Sequence, residues 1–252
     1  MTTTEDNYGT VAVIIPALNE AEALPSVLSA MPSWVTHTIV ADNGSTDGTG
    51  EVARGLGAQV VIERRRGYGS ACLRALAALP PVDIVVFLDG DASDDVTEMA
   101  MIVAPVAVGE ADFVLGSRVL GDRERGALTP QQVFGNWLAC TLIHLIWKYR
   151  FTDLGPFRAI RLDALQSLRM ADPDYGWTVE MQVRAAQRGL VCKEVPVRYR
   201  RRIGRSKVSG TIRGVIGAGT KILFVIFREA FASRANRRLS SHPTNYRART
   251  LK

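Results

Sequence analysis

Apolar residues come in short runs that alternate with amphipathic stretches along the first half of the chain. Residues 11–15 form an unbroken apolar run that stops at Pro16, and Leu24, Val27, Leu28 and Met31 then recur at the spacing of one helical face. The same succession returns at 38–41 with a helix expected from about Asp47, at 60–62 with a helix over 71–79, and at 84–88 with a helix over about 94–106. A fifth run, 113–115, precedes Gly116. Such repetition predicts an α/β fold, a mostly parallel sheet flanked by helices. Ligands of open α/β sheets bind beyond the carboxyl ends of the strands, so Asn19, Asp42, Arg64, Asp89 and Asp91 are expected to converge. Further on, the polar insertion GDRERGALTPQQ leads into a hydrophobic helix over 133–147. A patterned helix over 177–187 is bounded by Gly189, and 191–197 reads as a strand interrupted by Pro196. No tandem repeat or low-complexity linker divides the chain, which predicts one domain with a C-terminal extension.

Composition adds little until charge is resolved along the chain. With 252 residues, 47% hydrophobic and 22% charged, the chain can bury a sizeable core and is neither disordered nor cysteine-stapled. The net charge of +6 conceals a split at Cys192: 15 basic and 23 acidic residues up to that point, then 16 basic and 2 acidic. An acidic body therefore carries a basic C-terminal quarter. Cys72, Cys140, Cys192 and the three histidines form no metal-ligand spacing, and the polar N-terminus lacks a signal-peptide pattern, so a cytoplasmic setting is expected.

Three segments carry candidate chemistry. In VVFLDGDASDD, an apolar run delivers Asp89 and Asp91 beyond a strand end. Alternate carboxylates there suit a hard cation, Mg²⁺ or Mn²⁺, that also takes phosphate oxygens; a solvated acidic turn and acid–base work are the alternatives. Asp94 and Asp95 are expected to cap the next helix. In ADNGSTDGTGEVA, Asp42 ends a strand where it either holds a turn or accepts hydrogen bonds from a base or sugar. In ERRRGYGSACLRA, Gly67 and Gly69 can bring backbone amides to phosphate beside Arg64, Arg65 and Arg66. IIPALNE after the first strand contains neither the dinucleotide GxGxxG nor a phosphate-binding P-loop, which argues against both classes and against nucleotidyltransfer to a sugar phosphate.

Taken in order, VAVIIPALNE, DNGSTDGT, RRRGYGSA, FLDGDAS and GWTVEMQVRAAQRG resemble the family 2 glycosyltransferases of the GT-A fold, especially the dolichol- and polyprenyl-phosphate mannosyl- and glucosyltransferases. The resemblance runs from about Val11 to Ile226. It implies a flexible segment 1–9, a catalytic domain over 10–209 and a basic amphipathic extension over 210–252. It also implies a metal-dependent enzyme that inverts the anomeric centre of a UDP- or GDP-hexose by direct displacement. Pro16, Ala17, Asn19 and Glu20 would line the nucleotide site and Asp42 would contact the base. Arg64, Gly67 and Gly69 would lie beside ribose and diphosphate. Asp89 and Asp91 match the DxD metal motif, with Asp91 the direct ligand and Asp89 nearer the sugar and ribose, and Arg118 would sit near the donor or acceptor phosphate.

On the acceptor side, Asp153 and Gly155 match a short family loop. Glu180 lies where members that use a hydroxyl acceptor place a general base, with a structural hydrogen-bonding role as the alternative. The resemblance favours a polyprenyl phosphate at the membrane surface as acceptor; a soluble or lipid hydroxyl is the alternative. Gln131 and Gln132 depart from the lipid-phosphate pattern, which has arginines there, and Arg123, Arg125, Arg202 or Arg205 are the candidates to compensate. In VRYRRRIGRSKVSGT, Arg205, Ser206 and Lys207 match the segment that closes over the diphosphate. The helix that follows carries Lys221 in its middle, so it suits an anionic membrane interface or an oligomer contact better than a bilayer span. A basic nucleic-acid-binding or interaction protein without catalysis is the reading from a different class. No zinc spacing or nucleic-acid recognition motif accompanies the charge, and nucleic acid is not expected as a partner.

Overall fold

A computed structural model describes residues 8–204 and 212–240, with the side chains of the last helix described over 217–232. Seven strands, β1 (Val11–Ala17), β2 (His37–Asp42), β3 (Gln59–Ile62), β4 (Ile84–Phe87), β5 (Phe113–Ser117), β6 (Arg158–Arg161) and β7 (Cys192–Pro196), form one sheet in the order β3-β2-β1-β4-β6-β5-β7. The β3-β2-β1-β4 half is parallel, β6 runs antiparallel to both β4 and β5, and β7 is parallel to β5. Alternation along β1 feeds two apolar layers. Ala12 and Ile14 join Ile39, Phe87, Ile143 and Trp177 on one face, while Val11, Val13 and Ile15 join Leu24, Val40, Met99 and Ile102 on the other.

The helices are α1 (Leu24–Ser29), α2 (Thr49–Gly55), α3 (Tyr68–Leu76), α4 (Met99–Ala107), α5 (Pro130–Trp147), α6 (Leu162–Leu168), α7 (Trp177–Arg188) and α8 (Ile212–Ser240). The sheet is mostly parallel and helix-flanked, as the periodicity predicts, but β6 and α6 were not legible. β6 is four residues long and contains two arginines, yet Arg158 is fully buried in the middle of the sheet. Its guanidinium donates to the carbonyls of Leu154, Gly155 and Thr178, and desolvation brings its pKa down to about 10. Helix α5 starts earlier than its apolar pattern, at Pro130, because Thr129 and Gln132 form a capping box. Asp95 caps the short turn Val96–Glu98, whereas Asp94 is buried and does not cap.

The basic C-terminal helix packs on the body. Val225 and Ile226 are buried in the core, and three ion pairs tie α8 down: Lys221–Asp172 at 3.0 Å, Arg228–Glu180 at 3.0 Å and Arg184–Glu229 at 3.0 Å. Among the described residues, no helix is long and apolar enough to cross a membrane.

Candidate active site

Beyond the carboxyl ends of β1, β4 and β5 lies a cavity of about 670 Å³. Of the residues singled out from the sequence, Pro16, Ala17, Glu20, Gly67, Asp89, Asp91, Arg118 and Arg202 line it. Asn19, Asp42, Arg64, Gly69, Arg125, Asp153, Gly155 and Glu180 do not. Arg205, Ser206 and Lys207 lie outside the described residues. Arg66, read from the sequence as charge beside Gly67, lines it too, and Leu18, Asn43, Tyr68, Tyr199 and Arg201 line it without having been singled out.

Most of the residues off the wall hold the wall in place. Asn19, at φ 54°, accepts from the Thr46 amide at 2.8 Å and donates its own amide to Ser45 Oγ at 2.9 Å, which ties the loop after β1 to the turn after β2. Asp42 accepts from the Ser45 amide at 2.8 Å and anchors that turn. Asn43 clamps the arginine-rich turn: its amide group donates to the carbonyls of Glu63 and Arg65, and its Oδ1 accepts from the Gly67 amide at 2.8 Å. Through this clamp Arg66, rather than Arg64, reaches the cavity. Gly67 and Gly69 are required by packing, since a Cβ on either would overlap the backbone carbonyl of Pro173 or Asp172.

The two carboxylates after β4 have different surroundings. Asp89 is held by a hydrogen bond from Tyr68, its Oδ1 is buried without a partner, and burial raises its pKa. Asp91 accepts from the Ser93 amide and hydroxyl through Oδ1 and is ion-paired with Arg202 through Oδ2. An orphaned buried oxygen beside a carboxylate that already holds a cation fits a divalent metal. Among the described residues, no cluster of three or more His, Cys, Asp or Glu side chains supplies a fuller shell. Asp94, behind this pair, is pushed up to about 7, chiefly by burial and then by the Asp89 charge.

Arg118 enters the cavity wall from the end of β5 under tight restraint. Its Nε and Nη2 donate to the two Asp153 oxygens at 2.8 and 2.7 Å, and its ring-facing side stacks 5.0 Å from the Tyr199 centroid. Burial alone would raise the Asp153 pKa, but the Arg118 guanidinium outweighs it and holds the carboxyl below the usual range. Gly155 makes room: a Cβ there would come within 3.1 Å of Asp153 Oδ2 and 3.2 Å of Arg118 Nε. Asp153 and Gly155 thus position Arg118. Glu180 is fully buried, accepting from the Ala171 and Asp172 amides and pairing with Arg184 and Arg228. Its contacts are those of the structural alternative.

The strap 198–202 closes one side of the cavity. Arg198, Arg200 and Arg202 pair with Glu98, Asp95 and Asp91, while Arg201 donates to the Arg125 carbonyl on the opposite loop. Arg202 therefore sits on Asp91, and Arg125 contributes backbone. On the far side of the 126–132 ridge, Leu128, Pro130, Val133, Phe134 and Trp137 line a second, apolar groove of about 450 Å³.

A profile of the family described as Glycosyl transferase family 2 matches residues 12–169. An uncharacterized glycosyltransferase of Mycobacterium tuberculosis is 41% identical over 212 residues, covering 82% of this chain and 93% of that protein. The undecaprenyl-phosphate mannosyltransferase of Micrococcus luteus is 30% identical over 220 residues, 81% of this chain and 89% of that protein. Among solved structures, glucosyl-3-phosphoglycerate synthase from M. tuberculosis in complex with Mn²⁺ and UDP-glucose superposes with a TM-score of 0.69 at 26% identity, covering 88% of this chain and 79% of that one.

The solved structures correct the expectation of a polyprenyl-phosphate acceptor. Those that superpose include structures of glucosyl-3-phosphoglycerate synthase, whose name gives a soluble phosphoglycerate as the group glucosylated, and they favour the hydroxyl alternative. The site departs in the same direction. Gln131 and Gln132 stand where cations were expected, and Gln132, spent on the α5 capping box, brings an uncharged amide to the cavity; of the arginines that could compensate, Arg202 lines the cavity but is paired with Asp91, and Arg123 and Arg125 do not line it.

Proposed function

Because the chain belongs to glycosyl transferase family 2 and is a hexosyltransferase of GT-A fold, we propose that it moves a hexose, with inversion, from a nucleotide diphosphate sugar to the hydroxyl of a soluble acceptor. The observation that carries this reading is the cavity itself. Asp89, Asp91, Arg118, Arg201 and Arg202 all line a space of the volume ligand pockets have, with Arg202 in contact with Asp91, so a negative diphosphate there meets cations beside the carboxylates that would hold the metal. Pro16, Ala17 and Glu20 beside Arg66 form the nucleotide side. Asp91, with Asp89, would hold the divalent cation, which neutralises charge on the departing diphosphate. The Mn²⁺ and UDP-glucose bound by the superposed synthase support Mn²⁺ and a uridine donor.

The protein's own part is alignment. Arg118, fixed by Asp153, and the strap arginines restrain the diphosphate so that the acceptor oxygen approaches the anomeric carbon from the opposite side. A hydroxyl must lose a proton as it attacks. Glu180 has no access to the cavity, and the carboxylates that line it are Glu20, Asp89 and Asp91.

The apolar groove supports a second reading, a lipid-borne hydroxyl acceptor met at an anionic membrane surface. Phe134 and Trp137 on α5 and Phe224, Phe227 and Phe231 on α8 are all exposed. Incubation with UDP-, GDP- and dTDP-hexoses, Mn²⁺ or Mg²⁺, and either phosphoglycerate or a short-chain lipid alcohol separates the two. Released nucleotide and glycosylated product on phosphoglycerate alone support the soluble reading. Product only on the lipid alcohol overturns it in favour of the second.

A further inference from the structure

Arg202 occupies an unusual place for a residue of a diphosphate-binding wall: it is spent on the carboxylate that would hold the metal. Its guanidinium contacts Asp91 Oδ2, and both residues line the cavity. The contact is set by backbone pairing, because the Arg200 amide donates to the Ser93 carbonyl at 2.8 Å and the Ile203 amide donates to the Asp91 carbonyl at 2.9 Å. That pairing gives the strap a strand-like alternation. Arg198, Arg200 and Arg202 point to the acidic loop 91–98 and Arg201 points to the loop 118–126, while Tyr199 lies between the two, its ring under Arg118 and its side chain hydrogen-bonded to Ser93.

The two arginines at the start of this alternation meet acids that are helix caps or surface groups. Arg202 meets Asp91, whose other oxygen is already saturated by Ser93, so Oδ2 is the oxygen Asp91 has left to offer a metal. A guanidinium and a divalent cation compete for it, because two positive charges on one oxygen repel each other. Asp89 and Asp91 are also the whole carboxylate supply on the cavity side of this loop, so the rest of a coordination shell must come from a ligand.

Resting on the metal–nucleotide reading above, we propose that Arg202 is the resident counter-cation of Asp91. It holds that carboxylate while the nucleotide site is empty and yields it only when a nucleotide diphosphate arrives with the divalent cation. Released, Arg202 stays on the cavity wall, where the same positive charge faces the diphosphate. The strap thus makes metal binding depend on nucleotide, and protects the site from loading with metal alone. Arg202 is in this sense a positioning residue for the order of binding.

The test reads Mn²⁺ binding, by electron paramagnetic resonance of free Mn²⁺ and by calorimetry, in wild type, Arg202→Gln and Arg202→Lys, without nucleotide and with saturating UDP or GDP. Without nucleotide, Arg202→Gln is expected to bind Mn²⁺ about tenfold more tightly than wild type, as removal of one adjacent competing charge predicts. Arg202→Lys keeps the charge and is expected to stay within about threefold of wild type. With nucleotide present, the advantage of Arg202→Gln disappears or reverses. Nucleotide-free affinity of Arg202→Gln equal to or weaker than wild type, in protein with an unchanged circular dichroism spectrum and melting curve, overturns the proposal. Failure of all three proteins to bind Mn²⁺ even with both nucleotides overturns the underlying metal–nucleotide reading instead, and the proposal with it.

Discussion

Two arginine–aspartate pairs stand on the same cavity wall, and they are built for opposite purposes. Arg118–Asp153 is bidentate, nearly closed off from solvent, and backed by the Arg118 and Leu154 amides and by the space Gly155 leaves. Arg202–Asp91 is a single contact from a side chain that is 32% exposed, on a strap at the rim. A pair enclosed in this way is costly to break, because either partner alone is a buried uncompensated charge. A pair at the rim can exchange one partner for another cation. The first fixes geometry in every state of the enzyme; the second is the part of the wall that changes with ligand.

The comparison is broken most severely at its built half. Asp153→Ala leaves the Arg118 guanidinium without its carboxylate and is expected to lower stability by about 3–5 kcal/mol, read as an earlier urea midpoint with an unchanged slope. A midpoint close to wild type would mean that Arg118 finds another partner and is not fixed by Asp153. At the exchangeable half, Asp91→Asn keeps an oxygen for Ser93 and leaves only the partly exposed Arg202 unpaired, so it should cost clearly less stability than Asp153→Ala while kcat falls by about 10²–10³, the scale seen when one preorganised charge-stabilising group is removed. A large stability loss with retained turnover would reverse the assignment of the two pairs.

A third arginine–carboxylate cluster sharpens the contrast. Glu180 joins Arg184 and Arg228 in the interface between α7 and α8, with no opening to the cavity. Glu180→Gln is expected to cost about 1.5–3 kcal/mol of stability, the worth of hydrogen bonds to a charged group, with kcat within about threefold of wild type. A fall in kcat of about 10²-fold or more at unchanged stability would restore Glu180 as the general base.

The sequence carried the parts of this picture that depend on short-range pattern. Apolar runs ending in polar residues marked β1 to β5 and placed Asp89 and Asp91 at the ligand end of β4, because alternation and strand ends are local. β6 was invisible for a physical reason. Its burial depends on Arg158 being satisfied by carbonyls brought from residues 154, 155 and 178, and nothing in RAIR announces that. The same holds for Asn43, whose three hydrogen bonds to the 63–67 turn select Arg66 over Arg64. Glycine spacing suggested phosphate contact for Gly67 and Gly69, whereas the loop at 172–173 packs so close that only glycine fits. The alternation in RYRRR was the available signal for the strap, since strand periodicity alone sends Arg202 and Arg201 to opposite sides.

The most direct test of the whole account is calorimetric titration of UDP-glucose and GDP-mannose into wild type and Asp91→Asn, each with and without Mn²⁺. At least one sugar nucleotide is expected to bind wild type with an affinity that rises when Mn²⁺ is present, and Asp91→Asn, still folded, is expected to lose the Mn²⁺-dependent part. Binding that is indifferent to both Mn²⁺ and Asp91, or no binding of either sugar nucleotide, would contradict it.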